Sequence, residues 1–154
     1  MMDDIRFEGG CLCGAIRYRA RSQPLRGVIC HCEMCRRHSG APALAFVHFA
    51  RADFSWLTAE PSWYRSSPFA ERAFCPTCGS TIGMREEVLG DRVQVCVGSL
   101  DEPGRARIQD HVWTRSRVSW FDTRDDLPRF AGSSSAVPSR ADGGATIPGL
   151  PEPQ

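Results

Sequence analysis

Cys30-His31-Cys32-Glu33-Met34-Cys35-Arg36-Arg37-His38-Ser39-Gly40 places three thiols within six residues, so one tight turn can aim all of them at a single point. Thiolates in this spacing suit a tetrahedral zinc, and three of them leave one position unfilled. A structural site closes its shell with four protein ligands, whereas a catalytic site keeps a place for water or substrate. The stretch is therefore expected to hold a metal with an open position, unless His31, His38, His48 or Cys96 closes the shell. His31 is the weakest of these candidates, because both of its neighbours already point at the metal.

On either side lie two shorter thiol pairs. Cys11-x-Cys13 falls between residues 5–8 and 15–20, which alternate apolar with polar side chains, the period of half-buried strands. Cys75-Pro76-Thr77-Cys78-Gly79 follows another such segment at residues 71–74. A glycine after the second thiol suits a metal knuckle, since it takes positive φ without penalty. Each pair is too short to make four ligands, but together they do. Cys11, Cys13, Cys75 and Cys78 are expected to form an all-thiolate structural zinc site that pins the N-terminal hairpin to the middle of the chain.

Further strands are expected at residues 26–29, 44–49, 54–57, 61–65, 80–85, 92–97, 110–114 and 118–121, with one helical turn at 33–38 stopped by Gly40. Trp56, Trp63, Trp113 and Trp120 read most simply as core or sheet-face residues, and Arg17, Arg19 and Arg21 as the wet side of one strand. Helical periodicity is nearly absent. The domain is expected to span residues 1–130. From Ala131 to Gln154 the chain is dominated by Gly, Ser, Pro and Ala with no aromatic residue, a composition that buries too little to order itself and is expected to be disordered.

At 154 residues and 42% hydrophobic content, the chain has enough core to fold as one domain without disulfides. Eight cysteines are too many for packing alone. The acidic N-terminus Met1-Met2-Asp3-Asp4-Ile5 lacks the basic and apolar regions of a signal peptide, so the expected location is the reducing cytoplasm, where close thiols bind metal more often than they pair. No apolar run approaches the roughly 20 residues of a membrane span. A net charge of +1 gives no general attraction to nucleic acid or to a membrane surface. Every basic side chain apart from histidine is arginine, which removes Schiff-base lysine chemistry. Arg36 and Arg37, directly after the third thiol, offer planar forks for a substrate carboxylate.

Gly10-Cys11-Leu12-Cys13-Gly14, Cys30-His31-Cys32-x-x-Cys35-Arg36-Arg37-x-Ser39-Gly40, Phe74-Cys75-x-x-Cys78-Gly79-Ser80 and Gly98-Ser99-Leu100-Asp101 occur in that order, followed by Trp120 and Leu127-Pro128-Arg129-Phe130. In this the chain resembles the glutathione-dependent formaldehyde-activating enzyme family, which also includes centromere protein V. The resemblance implies a mainly β, Mss4-like fold of several curled antiparallel sheets stapled by zinc. It implies two zinc ions per chain: a structural one on Cys11, Cys13, Cys75 and Cys78, and a catalytic one on Cys30, Cys32 and Cys35. It also implies a carbon–sulfur lyase that joins glutathione or a similar thiol to formaldehyde or another small aldehyde. A non-catalytic, zinc-stapled β module for protein interaction is the alternative, distinguished by a fourth protein ligand at the Cys30 cluster. B-type methionine sulfoxide reductases look similar in architecture, with Cys96 cast as nucleophile, but they gain nothing from that cluster. The sequence leaves the roles of Cys96, His48 and His111, and the oligomeric state, open.

Overall fold

The computed structural model describes residues 6–134. Ten strands form two sheets. β1 (Phe7–Gly10), β2 (Arg17–Ala20) and β5 (Phe54–Trp56) make a three-stranded sheet in the order β1-β2-β5. β3 (Arg26–Cys30), β4 (Leu44–Ala50), β6 (Ser62–Ser67), β7 (Ala70–Phe74), β8 (Thr81–Glu86), β9 (Arg92–Cys96) and β10 (Asp110–Val112) make a seven-stranded sheet in the order β10-β3-β4-β9-β8-β7-β6. All pairs are antiparallel except β10 with β3. The single α-helix among the described residues, α1 (Glu33–Ser39), ends at Gly40 with φ 71°, the left-handed conformation that glycine takes most easily. The architecture is mainly β, as the sequence leads one to expect.

β4 explains how the large sheet is used. Its central residues Phe46, Val47, His48 and Phe49 are all buried, so both faces of the strand are covered. Val47 and Phe49 face the small sheet and pack with Phe7, Ile16, Tyr18, Ile82 and Val95. Phe46 faces the other way, into a second cluster with Val28, Met34, Met84 and Val112 beneath α1. One face stabilises the two-sheet sandwich, and the other carries the helix with its thiols.

Two expectations are corrected. Residues 118–121 form no strand; they are a turn closed by the Phe121 N–H on the Val118 carbonyl (3.0 Å) and by Arg117 Nη1 on the Phe121 carbonyl (2.7 Å). Trp120, placed on that turn, is 75% exposed and belongs to no core. Of the segment from Ala131 onward, residues 135–154 lie outside the described residues. Residues 131–134 still touch the fold: the Trp113 N–H reaches the Gly132 carbonyl at 2.9 Å, and Arg26 donates to Ser134 Oγ at 2.5 Å.

β8 and β9 approach so closely that a Cβ on Gly83 would collide with the Gln94 carbonyl oxygen. Backbone cannot yield there as a side-chain tip would. Gly83→Ala is expected to lower stability by about 2 kcal/mol, read as a lower urea midpoint with an unchanged slope.

Candidate metal centre

The first thiol group is built from two similar knuckles. At the β1–β2 turn, Gly14 N–H donates to the Cys11 carbonyl (3.1 Å) and Ile16 N–H to Cys11 Sγ (3.2 Å). After β7, Gly79 N–H donates to the Cys75 carbonyl (2.9 Å). Gly14 (φ 80°) and Gly79 (φ 76°) both take the left-handed conformation, so each loop can fold its sulfurs back toward the other. The sulfurs of Cys11, Cys13, Cys75 and Cys78 all lie within 4.8 Å of one another. Ser80 Oγ ties the knuckles together, 2.9 Å from Leu12 N–H and 3.1 Å from Cys78 Sγ. Cys11 and Cys75 are buried, whereas Cys13 is exposed. Four soft donors at this separation fit a tetrahedral zinc.

The second group is Cys30 at the end of β3, Cys32 capping α1, and Cys35 in its first turn. Cys32 Sγ accepts the Cys35 N–H at 3.3 Å, a capping bond that fixes the thiol at the helix start. All three sulfurs are buried and lie within 4.8 Å of one another. Hydrogen bonds from Cys30 and then Cys35 hold the Cys32 thiol well below its ordinary range. Cys32, ahead of Cys35 and burial, pushes the Cys30 thiol well above its own. Three crowded thiols thus favour a single thiolate; a divalent ion is what lets all of them ionise, and this donor set fits one.

No His, Cys, Asp or Glu atom among the described residues joins the three sulfurs as a fourth ligand. His31 turns away: its Nε2 is 2.8 Å from His111 Nδ1, and His111 Nε2 is 3.0 Å from Asp125. Burial, and then His111, push the His31 pKa down to about 4. His38 presents its carbonyl to Thr81. Cys96 is 3% exposed, and burial drives its thiol above the ordinary range. Its setting is that of a small buried hydrophobe. Among the described residues, no fourth ligand of the kind that would distinguish a purely binding module reaches the cluster.

What approaches the cluster instead is Arg72, on β7, whose Nη1 donates to Cys35 Sγ at 3.3 Å while Nε donates to Ser66 Oγ at 3.1 Å. Only 3% of it is exposed. Arg72 carries no sequence signal beyond period: position 72 shares a strand face with Ala70. Arg36 and Arg37, read as substrate contacts, have other partners. Arg36 Nη1 reaches the Ser116 carbonyl at 3.4 Å, and Arg37 pairs with Glu33 at 2.9 Å.

The three thiols and Arg72 line a cavity of about 120 Å³. Its walls include Met34, Phe46, Met84 and Trp113, and neither Arg36 nor Arg37 contributes to them. Also on the lining is His48, held at a pKa of about 3 by burial, then by Arg92 and Arg26.

Residues 6–116 match the sequence profile of the glutathione-dependent formaldehyde-activating enzyme family. A Schizosaccharomyces pombe protein named as an uncharacterised lyase is 40% identical over 76 residues, 49% of this chain and 55% of that protein. The chain thus spans about half the length of that relative. A Halomonas elongata protein, provisionally named a glutathione-dependent formaldehyde-activating enzyme, is 27% identical over 138 residues, 82% of this chain and 87% of its own. A crystal structure of a Rhodobacter sphaeroides protein superposes with a TM-score of 0.51 at 17% identity, covering 80% of this chain and 98% of that one, which supports the fold alone.

Two outcomes follow from this geometry. Arg72→Leu is expected to weaken metal retention at the three-thiol site about 10-fold to 100-fold, with the four-thiol site unchanged, in a competition titration against a chromophoric chelator. His48 binds a proton in the unfolded chain near pH 6.5 but in the fold only near 3. Below 6.5 the unfolded state therefore holds the extra proton, and stability falls with pH. Between pH 7.5 and 5.0 His48→Gln is expected to lose about 2 kcal/mol less than wild type, by urea midpoints at both pH values.

Proposed function

The chain belongs to the glutathione-dependent formaldehyde-activating enzyme family, and we propose that it is a zinc-dependent carbon–sulfur lyase, adding glutathione or a similar thiol to a small aldehyde such as formaldehyde, or reversing that addition. The observation that carries this reading is a three-thiol cluster with no fourth protein ligand among the described residues, lining a cavity. A zinc held by Cys30, Cys32 and Cys35 would supply a positive centre able to lower a thiol's pKa or polarise an aldehyde oxygen.

The chemistry is an addition. One carbon–sulfur bond forms, the carbonyl π bond opens, and the proton released by sulfur ends on the former carbonyl oxygen; elimination restores both partners. Arg72 keeps a fixed positive charge 3.3 Å from Cys35 Sγ and so counters the negative charge that thiolates bring into a buried place. Met34, Phe46 and Met84 keep the cavity wall apolar and limit water beside the reacting carbon. The charged ends of glutathione are assigned to the helix surface. There Arg37 is 55% exposed on its side chain, and Arg36 is one residue away.

Zinc is proposed at both thiol groups, two ions per chain. In protein purified without chelator, Cys32→Ser is expected to carry about one zinc where wild type carries about two, to stay folded with a lower urea midpoint because one bound ion is lost, and to lose glutathione–formaldehyde exchange measured by NMR. Cys78→Ser is expected to unfold. Equal zinc content in wild type and Cys32→Ser would sink the assignment of a working metal to the three-thiol site.

A further inference from the structure

The pairing registers line up one row of side chains straight across the large sheet. Arg26 on β3 pairs with His48 on β4, His48 with Gln94 on β9, Gln94 with Met84 on β8, and Met84 with Arg72 on β7. Residues directly opposite on paired strands project from the same face. All five line the cavity, and all five are buried. Arg72 ends the row at the thiols, and the reading of the site above uses it. The other end of the row has no role in that reading.

At that other end His48 is 3% exposed, and neither of its ring nitrogens has a hydrogen-bond partner among the described residues. A buried polar group left unpaired costs about 1–3 kcal/mol, so an orphan imidazole on a cavity wall points to a partner that occupies the cavity. The surrounding groups limit what that partner is. Arg26 meets Asp110 and Ser134 through Nη2, each at 2.5 Å, so its charge is matched by a carboxylate although its Nε has no partner among the described residues. Arg92, the other cation near His48, is absent from the lining and lies beside Asp91. Gln94 Nε2 is spent on Glu86, whose carboxyl burial holds above its ordinary range. Among the described residues each arginine on the lining thus already has a counter-charge or the thiols beside it, Arg26 in Asp110 and Arg72 in the cysteine cluster, and none is left over for a substrate carboxylate. A neutral imidazole, with one nitrogen donating and one accepting, suits a hydroxyl or an amide.

Length adds a second constraint. Cys30 pairs with Leu44, four residues along β4 from His48, so the thiol end and the imidazole end stand about 13 Å apart along the strands. The cavity's 120 Å³ is far above the roughly 10–15 Å³ needed by one water. Formaldehyde at the thiols would leave the His48 end untouched.

Resting on the reading of this cavity as the substrate site, we propose that His48 is a specificity-determining seat for an uncharged hydroxyl or amide at the far end of a substrate whose apolar body fills the space up to the three thiols. The substrate class is thus a thiol or aldehyde, longer than formaldehyde, with a neutral polar end.

Thiols carry the test, because their sulfur favours the cysteine end and fixes their direction. Full-length, zinc-loaded protein is titrated with 6-mercaptohexan-1-ol, hexane-1-thiol and 6-mercaptohexanoate by calorimetry, with the His48 imidazole nitrogens followed by NMR. The mercaptoalcohol is expected to bind about tenfold tighter than the other two and to be the one that moves the His48 resonances. His48→Phe should erase that preference while leaving hexanethiol affinity within about twofold, and His48→Gln, which retains a donor and an acceptor, should keep part of it. Equal affinities in wild type would mean that water alone satisfies His48. Tightest binding of the carboxylate would mean that Arg26 leaves Asp110 to receive it, and loss of hexanethiol binding in both variants would reduce His48 to a wall residue; each overturns the proposal. Glutathione–formaldehyde exchange on the same samples separates the two readings. A hydroxyl preference without exchange sinks the lyase and spares the seat, while exchange with equal affinities does the reverse.

Discussion

Convergence of four sulfurs from two turns is the constraint on which the rest of the structure depends. Cys13 and Cys75 are 62 residues apart in sequence, and their sulfurs stand 3.8 Å from each other. Holding such distant turns together closes a long loop, whose entropic cost grows slowly with length but falls on the fold at once. Between the knuckles run β2 to β7, together with α1. Once the tips are joined, the small sheet is set over one face of the large one, and Phe7, Ile16 and Tyr18 meet Val47, Phe49 and Val95. The opposite face of the large sheet is left for α1 and its thiols.

Much of this could be read from sequence because thiols on turns and apolar alternation are local signals. The spacing of Cys11, Cys13, Cys75 and Cys78 stated its own geometry, and so did Gly40 as the stop of α1. The strands were legible to within a residue or two wherever alternation was strong. Residues 118–121 misled because Val-Ser-Trp-Phe carries strand-forming side chains without a partner strand to accept them. Its backbone bonds are spent within the turn, and Trp120 is left outside. The parallel joining of β10 to β3 had no local signal at all, since it depends on where a long connection returns.

The site was half legible for the same reason. Its thiols are adjacent in sequence, but the side chains around them are assembled by register. Arg72, Gln94 and His48 come from three strands, and nothing in their neighbours marks them as facing one cavity. Alternation says that position 72 shares a face with position 70; only the pairing of β7 with β8, β8 with β9 and β9 with β4 says that this is also the face of His48. Arg36 and Arg37 adjoin Cys35 in sequence but not on the cavity wall. On a helix, however, the residues after a buried position rotate away from it, and both arginines find partners outside the cavity lining.

With a divalent ion at each, the two thiol groups would differ in how their charge is tolerated. Four thiolates around a divalent ion carry two net negative charges; three carry one. The four-thiol group sits at the surface, with Cys13 exposed and Cys78 half-buried, where water screens the excess. The three-thiol group is wholly buried, and there an uncompensated charge costs several kcal/mol. Arg72, itself 3% exposed, supplies the missing positive charge from the opposite side of the cavity wall. A purely structural site gains little from such an arrangement, since a fourth cysteine at the surface would close it more simply. A buried, charge-balanced cluster with no fourth protein ligand among the described residues, opening onto a cavity that Met34, Phe46 and Met84 help to line, is suited to accept a further sulfur or oxygen.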